Sequence, residues 1–514
     1  MISHRLAVFV LASAALAGCQ DAAGPSAPAA SCDPAVHLDL APGETRTLND
    51  AEARCIALGA NGAEYVLAGF DARALDASAG GPFVGGLPEP RYTLGDGAGG
   101  AAASQNLVEF DGATDRPTGD LRLNTAPAPG DPYARETPWR DGERFPVRPM
   151  VGEGTVPARV VKVVGGRFVL AVLEGDESGA ARVLDQAETA LEFLAAQGVP
   201  VLGGALGETV PVTSPGSGQL LILAAAWNPE QGAGATWSRE DAGGPRSLVW
   251  LNVNVRPGKG ENFEMYDHAS YRLKVLAHEM THAWQVQHLR GAHAAPHAAP
   301  GSAAWSIEGG ADFLAMDLLR RYLGVGLTAN WDWRDHLNPR EAAAIYALEP
   351  ADARGRLPWG YYDAASLLRD LQVRLMNAGL GADAAMAVVA RGAVEGWYGD
   401  DGAGGACHGL VERVRGHLGA AWDPAEAVLT WTLTQAADDR TSNRALNNPV
   451  YRKVGDRGAA YGWKPAAEVQ AGRAGSSTFG QVSGGSFFAL VSGAGTVSAT
   501  SDTQGIRWMI ARTN

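Results

Sequence analysis

The segment Val275–His282 contains the pattern His-Glu-x-x-His inside a stretch with helical character. A helix turns by about 100° per residue, so His278 and His282, four residues apart, lie on one face about a turn from each other. Two imidazoles at this separation can bind one zinc ion, and Glu279 lies beside them, where it can take a proton from a water on the metal. The motif predicts a metal-binding helix that needs a third ligand from elsewhere in the chain.

Glu308 is the predicted third ligand. It follows His282 by 26 residues, and the apolar residues around it are spaced as on a second buried helix. Gly309 and Gly310 should weaken such a helix by about 1 kcal/mol each relative to Ala. Close packing against the first helix explains them. Asp312, one turn after Glu308, is predicted to accept the free ring N–H of a zinc-bound histidine.

These motifs resemble the gluzincin superfamily of zinc peptidases. The Glu-x-x-x-Asp spacing of Glu308 and Asp312 is similar to thermolysin. The string Trp-x-x-Glu-Gly-x-Ala at 305–311 resembles aminopeptidase N-like enzymes, clostridial collagenases and hyicolysin-type peptidases. The resemblance covers residues 248–371, and it implies an α+β fold with a thermolysin-like zincin catalytic domain, built from a mixed sheet and a helical subdomain.

The same resemblance implies a site and an activity. One catalytic Zn²⁺ would be held by His278, His282 and Glu308, with Glu279 as the general base for hydrolysis of a peptide bond. The expected substrate is a peptide or protein. A catalytically inert binding or adhesion protein on a peptidase scaffold is one alternative, and an aminopeptidase is another.

A metzincin would place its third ligand at His288 instead. That arrangement needs a glycine three residues after the second motif histidine, but Gln285 stands there and continues the helix. On an unbroken helix His288 lies about 240° around from the second motif histidine and faces away from the metal. Glu308 is therefore preferred. His288 is interpreted, with His293 and His297, as part of an exposed loop.

The resemblance also implies a tyrosine at the head of a later helix, whose hydroxyl stabilises the oxyanion. Tyr361 lies 53 residues after Glu308, at the start of an amphipathic pattern, and Leu367 and Leu368 occupy the places of the family's paired leucines. A phenol can donate a hydrogen bond to developing negative charge. Tyr361 is the predicted donor and Tyr362 the reserve. Ordinary amphipathic aromatics are the alternative.

Upstream, residues 247–255 are rich in β-branched and apolar residues and predict a strand. In gluzincins the strand before the metal helix is a sheet edge to which an extended peptide adds by main-chain hydrogen bonds. An interior strand is the alternative here. The Gly-Ala-Met-Glu-Asn string with which aminopeptidase N-like enzymes bind a free N-terminus is missing, which favours an endopeptidase.

The N-terminus is typical of an exported lipoprotein. Residues 1–19 combine a basic start, a short apolar run and Leu-Ala-Gly-Cys, which resembles a bacterial lipobox that would leave Cys19 lipidated. A plain secretory signal is the alternative. Residues 20–31 predict a flexible tether. We expect a cell-envelope or extracellular protein that meets a membrane through its lipid anchor only, and a net charge of −14 argues against nucleic acid as a partner.

The rest of the chain divides by composition. Residues 32–145 predict a β-sandwich-like module, residues 150–438 the metallopeptidase domain, and residues 443–514 a C-terminal β segment. This last segment is either an accessory sandwich or an addition to the N-terminal module. Cys32 and Cys55 are predicted disulfide partners in an oxidising compartment.

Overall fold

The structure is a computed structural model. It describes residues 36–59, 61–75, 91–95, 103–104, 131–150, 154–227, 233–241, 244–254, 269–288, 304–324, 361–395, 409–438, 467–473, 476–480 and 486–514. Within these ranges the chain is a mixed α+β protein, in agreement with the predicted α+β class. The strands are β1 (Val36–Leu38), β2 (Thr45–Leu48), β3 (Ile56–Leu58), β4 (Glu64–Asp71), β5 (Arg91–Gly95), β6 (Ala103–Ser104), β7 (Arg144–Val147), β8 (Val156–Val164), β9 (Phe168–Leu173), β10 (Leu220–Ala225), β11 (Gly234–Asp241), β12 (Gly244–Asn252), β13 (Ala467–Gln470), β14 (Ser476–Gly480), β15 (Ser486–Ser492), β16 (Gly495–Ser501) and β17 (Ile506–Arg512). The helices are α1 (Asp50–Ala53), α2 (Glu177–Phe193), α3 (Val199–Leu206), α4 (Ala269–His288), α5 (Ala304–Tyr322), α6 (Tyr361–Asn377), α7 (Ala382–Glu395), α8 (Leu410–Leu418) and α9 (Pro424–Asp438).

The central sheet has the strand order β11-β12-β10-β9-β8-β7. Its middle strands β9, β10 and β12 are parallel, whereas β11 pairs antiparallel with β12, and β8 and β7 continue antiparallel on the other side. Every residue of β9 and β10 is buried, as expected for apolar runs that are covered on both faces. The strand predicted at 247–255 is therefore an interior strand, β12, and the described edge beside it is β11.

Helices cover one face of the central sheet. The strands β9, β10 and β12 share a core with α2, α3, α4, α5, α6, α7, α8 and α9. A π-helical turn at Leu194–Gly198 joins α2 to α3. By length and composition the stretch Ala180–Leu206 could cross a membrane, but 56% of its most apolar window is buried inside the protein. A core helix passes the same test.

The segment 131–150 covers the opposite face of the central sheet. Tyr133, Trp139 and Phe145 pack there with apolar residues of β8, β9, β10 and β12. The β7 strand in this segment hydrogen-bonds to β8. Residues up to 145 are predicted to belong to the N-terminal module, whereas these three aromatic residues pack against the central sheet.

The remaining strands form two sheets, β1-β3-β16-β5-β14-β6 and β13-β15-β4-β17-β2. One core is shared between them, so they form a β-sandwich. Strand β4 lies between β15 and β17, and its second face packs in the helical core, where α9 lies against it. The two β regions at the ends of the chain are therefore parts of the same sheets. Of the two alternatives for residues 443–514, an addition to the N-terminal module describes the strands.

Candidate metal centre

The helix α4 carries the His-Glu-x-x-His motif and is unbroken from Ala269 to His288, as the sequence predicts. Leu276, Met280 and Trp284, spaced four residues apart, are fully buried in the helical core next to β12. Burial of this stripe fixes the rotation of α4 on the sheet. The motif residues lie on a neighbouring part of the helix surface.

The two motif histidines converge through one nitrogen each. Nε2 of His278 lies 3.1 Å from Nε2 of His282, and the rings stand edge to face with centroids 4.7 Å apart. Nδ1 of His278 lies 2.7 Å from Asp312 Oδ1, and Nδ1 of His282 lies 2.7 Å from Gln285 Oε1. An oxygen acceptor at each Nδ1 selects the tautomer with the proton on Nδ1. The Nε2 lone pairs of the two histidines then approach one another, an arrangement that a cation or a proton between them stabilises.

The fit of this pair to zinc can be tested by distance. Two nitrogen ligands about 2.05 Å from a tetrahedral ion are about 3.3 Å apart. The observed 3.1 Å between the Nε2 atoms of His278 and His282 is close to that value. Both nitrogens are therefore suited in kind and in spacing to hold one ion. No group of three potential His, Cys, Asp or Glu ligands occurs among the residues that the structure describes.

The helix α5 packs against α4 and runs antiparallel to it. Asp312 lies beside His278 and Lys274, whose Nζ is 3.5 Å from Asp312 Oδ1. Gly310, two residues earlier on α5, lies beside Gln285, which is later on α4. A Cβ at Gly310 would lie 3.2 Å from Gln285 Nε2, so the glycine permits a close helix contact, as the sequence predicts. The antiparallel course brings the preceding turn of α5, residues 305–308, toward the His282 turn of α4.

Glu279 is held by the edge strand β11, which the sequence did not predict as a strand. The hydroxyl of Thr236 lies 2.8 Å from Glu279 Oε2 and 2.7 Å from the Glu279 carbonyl oxygen, and its one proton can serve only one of these acceptors at a time. A Cβ at Gly234 would lie 2.7 Å from Glu279 Cγ. Glycine at this position therefore lets the strand approach the carboxylate. The only sequence signal for this contact is a Gly-x-Thr pattern, which is too common to identify it.

A buried ionic cluster ties α5 to α6. Asp317 is buried, and Arg369 of α6 contacts it at 3.4 Å, together with Arg320 and Arg321 of its own helix. Burial alone would raise the pKa of Asp317, but attraction to Arg369, Arg320 and Arg321 outweighs it and lowers the pKa to about 2. The carboxylate is thus ionised at neutral pH and joins the two helices.

The first turns of α5 and α6 lie at the same end of the helix pair. Arg321, in the last turn of α5, pairs with Asp383 at the start of α7. Gln372, in the second half of α6, donates to the first carbonyl of α7 at 3.0 Å. Both C-terminal halves therefore meet α7, and the two helices run in the same direction. Tyr361 begins α6 at the end where Glu308 lies on α5.

His288 is turned away from the motif histidines, but it does not belong to an exposed loop. It is the last residue of α4, its Nδ1 lies 2.9 Å from the carbonyl oxygen of Leu206, and its Nε2 lies 3.2 Å from Glu395 Oε1. Burial would raise the pKa of Glu395, but hydrogen bonds and charge from His288 and Arg413 lower it to about 2. His288 thus binds the ends of α3 and α7. The expectation that His288 belongs to an exposed loop is therefore wrong, because this residue is helical and its partners Leu206 and Glu395 are buried.

Several predicted residues lie outside the described part of the structure. Helix positions are described for Glu308, Tyr361 and Tyr362, but their side chains are not, so their roles stay predictions. Cys55 is disulfide-bonded, and its predicted partner Cys32 is among the residues outside the description, so the pairing stays a prediction. The other predicted residues outside it are Cys19, His293 and His297.

Comparison with known proteins adds no family. Neither the family models nor the curated proteins contain a match to this chain.

Proposed function

We propose that this chain is an extracytoplasmic zinc metallopeptidase of the gluzincin type, with a thermolysin-like catalytic domain that acts as an endopeptidase. One observation carries the proposal. Nε2 of His278 and Nε2 of His282 face one another at 3.1 Å, while each Nδ1 has an oxygen acceptor. Such a pair is organised to bind a cation, and Glu279 between the two histidines supplies the base that peptide hydrolysis requires.

Three residues would hold the ion: His278, His282 and Glu308. The position of Glu308, one turn before Asp312 on a helix antiparallel to α4, supports its inclusion. Asp312 would orient His278 by accepting its Nδ1 proton at 2.7 Å. A zinc ion bound there supplies Lewis-acid polarisation of a water and of the scissile carbonyl.

Glu279 would move the proton. Its carboxylate accepts a proton from the attacking water and passes it to the nitrogen of the departing amine. The Thr236 hydroxyl, 2.8 Å from Oε2 and 2.7 Å from the Glu279 carbonyl oxygen, positions this carboxylate when it donates to Oε2. Tyr361, with Tyr362 as the alternative, would donate a hydrogen bond to the oxyanion.

The described edge strand β11 supports a peptide as the substrate. Thr236 and Gly234 of β11 contact Glu279, so an extended chain that pairs with the open side of β11 would run beside the base. Edge strands bind peptides in this way through main-chain hydrogen bonds. A free N-terminus is not needed for such pairing, which favours internal cleavage.

The test is zinc content together with casein digestion by the wild type and by Glu279→Gln. We expect about one zinc per chain in both proteins. Loss of proton transfer should lower the cleavage rate of Glu279→Gln by at least about 100-fold. Glu192→Gln, the same change at an exposed site on α2, is the control and should keep full activity.

Two outcomes would contradict the proposal. Zinc bound without any Glu279-dependent cleavage would indicate an inert binding scaffold. Absence of bound zinc would contradict the proposed metal site itself. Comparison of free and N-acetylated peptides separates the two peptidase types. An endopeptidase should cleave both at similar rates, whereas an aminopeptidase should cleave only the free peptide.

A further inference from the structure

The two motif histidines have chemically different partners. His278 faces the carboxylate of Asp312, which Lys274 also approaches, whereas His282 faces the neutral amide of Gln285. Gln285 lies three residues after His282 on the same helix, and its oxygen is 2.7 Å from His282 Nδ1. Both side chains are almost fully buried, with residue exposures of 1% for Gln285 and 4% for His282.

From this geometry we infer that Gln285 is a positioning residue for the metal, acting through His282. Its amide oxygen accepts the Nδ1 proton, which fixes the tautomer and the ring rotation that direct the Nε2 lone pair at the ion. The inference rests on the proposed zinc site. Outer partners of this kind typically change metal affinity by about 10- to 100-fold.

Gly310 makes this arrangement possible. A Cβ there would lie 3.2 Å from Gln285 Nε2 and 3.7 Å from the Ala393 Cβ, so a larger residue would press on the amide from α5. The glycine thus leaves room for the amide beside His282, and a larger residue at 310 would displace it.

The neutrality of Gln285 also has a reason. With zinc bound, the two positive charges of the ion and the one of Lys274 stand against the carboxylates of Glu279, Glu308 and Asp312. These formal charges sum to zero. A carboxylate at 285 would serve as an acceptor equally well but would leave the zinc-bound site with one uncompensated buried negative charge.

The test measures the dissociation constant of Zn²⁺ by competition with a chelator, on the whole protein. Gln285→Leu removes the acceptor and keeps a similar volume, and we expect its affinity for zinc to fall about 10- to 100-fold. Gln285→Glu restores an acceptor, and we expect affinity at least equal to that of the wild type. The glutamate variant should also melt at a lower temperature without metal and gain more than the wild type when zinc is added.

Two further variants sharpen the test. Gly310→Ala should lower the affinity by only a few-fold, because the amide must shift by a few tenths of an ångström. Gln287→Leu is the matched control, since Gln287 lies on the same helix but donates to the Pro245 carbonyl oxygen at 3.3 Å. Its affinity should equal that of the wild type.

The outcomes separate this inference from the proposed function. If the wild type binds zinc and Gln285→Leu binds it equally well, the positioning role is wrong and the metal site stands. The role is also wrong if Gln285→Glu loses as much affinity for zinc as Gln285→Leu. Equal losses would mean that both substitutions disturb packing, because the glutamate still provides an acceptor for His282. If the wild type binds no zinc, both the proposed metal site and the positioning role of Gln285 are wrong. Should Gln285→Leu fail to fold, the comparison of Gln285→Glu and Gly310→Ala with the wild type decides in the same way.

Discussion

The candidate metal centre and the β-sandwich differ in how much of the chain their contacts span. In the metal centre, His278 reaches Asp312 across 34 residues. In the sandwich, the backbone N–H of Glu64 donates to Asn514 Oδ1 across 450 residues. The first region is built by two helices that follow one another among the described elements. The second cannot be completed until the last strands of the chain have been made.

This difference has a consequence for folding. Strand β4 pairs with β15 on one side and β17 on the other, so an isolated N-terminal segment contains β4 with neither neighbour. Contacts between distant residues form slowly, because the entropy of closing the loop is lost before the contact stabilises it. The helix pair needs no such closure. We therefore expect the two regions to respond differently to changes at the C-terminus.

The largest expected effect is that of ending the chain at residue 466. This truncation removes β13 to β17, and β4 should lose its hydrogen-bonding partners on both sides. Hydrogen exchange followed by mass spectrometry should show that the amides of Glu64–Asp71 lose their protection. The amides of α4 serve as the internal control and should exchange more slowly than those of β4. Protected β4 amides in the truncated chain would contradict the shared sandwich.

The second expected effect belongs to the helical region. Asp317→Asn leaves the buried Arg369 without its charge partner, and we expect a loss of about 3–5 kcal/mol in the free energy of unfolding. Asp383→Asn is the control, because Asp383 also pairs with Arg321 but its side chain is 73% exposed. That change should cost about 0–1 kcal/mol. Similar losses in both variants, measured by urea denaturation, would show that the buried cluster is not the stabilising feature.

Low pH should destabilise the protein in part by protonating the carboxylate of Asp317. The pKa of Asp317 is lowered in the fold from 3.8 to about 2. Its contribution to stability is therefore complete above pH 3.8 and is lost as the pH falls toward 2. The difference in unfolding free energy between the wild type and Asp317→Asn should shrink across this window. A difference that stays constant would contradict the role of the ionised carboxylate.

A smaller effect is expected from Gly69→Ala in the sandwich. A Cβ there would lie 2.3 Å from Phe487 Cζ and 3.2 Å from Trp508 Cζ3, the residues that pair with Gly69 on either side. Displacing these rings should cost about 1–3 kcal/mol. Gly59→Ala is the control, since no heavy atom lies within 4 Å of its added Cβ, and it should change stability by less than about 0.5 kcal/mol. Equal stability of the two variants would contradict the packing of Phe487 and Trp508 against Gly69.

The sequence could predict the helices of the site but not the neighbours of its strands. The helix at 269–288 follows from its apolar spacing, and the acceptor Asp312 follows from its position one turn after Glu308. Strand β11 could not be found because its polar and small residues, including Arg239, Glu240 and Asp241, lack the apolar alternation of a strand. Its conformation is set by pairing with β12, a tertiary effect that overrides local propensity.

The pairing of strands that lie far apart in the sequence could not be predicted either. A mostly apolar run such as Ile506–Arg512 predicts a strand at best, and nothing local indicates that its partners are β2 and β4. Gln285 illustrates the same limit at the site. The sequence indicates only that Gln285 continues α4, whereas its hydrogen bond with His282 and the room that Gly310 of α5 leaves for it depend on side-chain conformation and helix packing.

The most direct test of the metal centre is a crystal structure of the protein grown with zinc, with anomalous scattering recorded on both sides of the zinc absorption edge. We expect one ion within about 2.0–2.2 Å of the Nε2 atoms of His278 and His282 and of a carboxylate oxygen of Glu308. An ion bound without Glu308, or no ion between the two imidazoles, would contradict the convergence of α4 and α5 on a catalytic zinc.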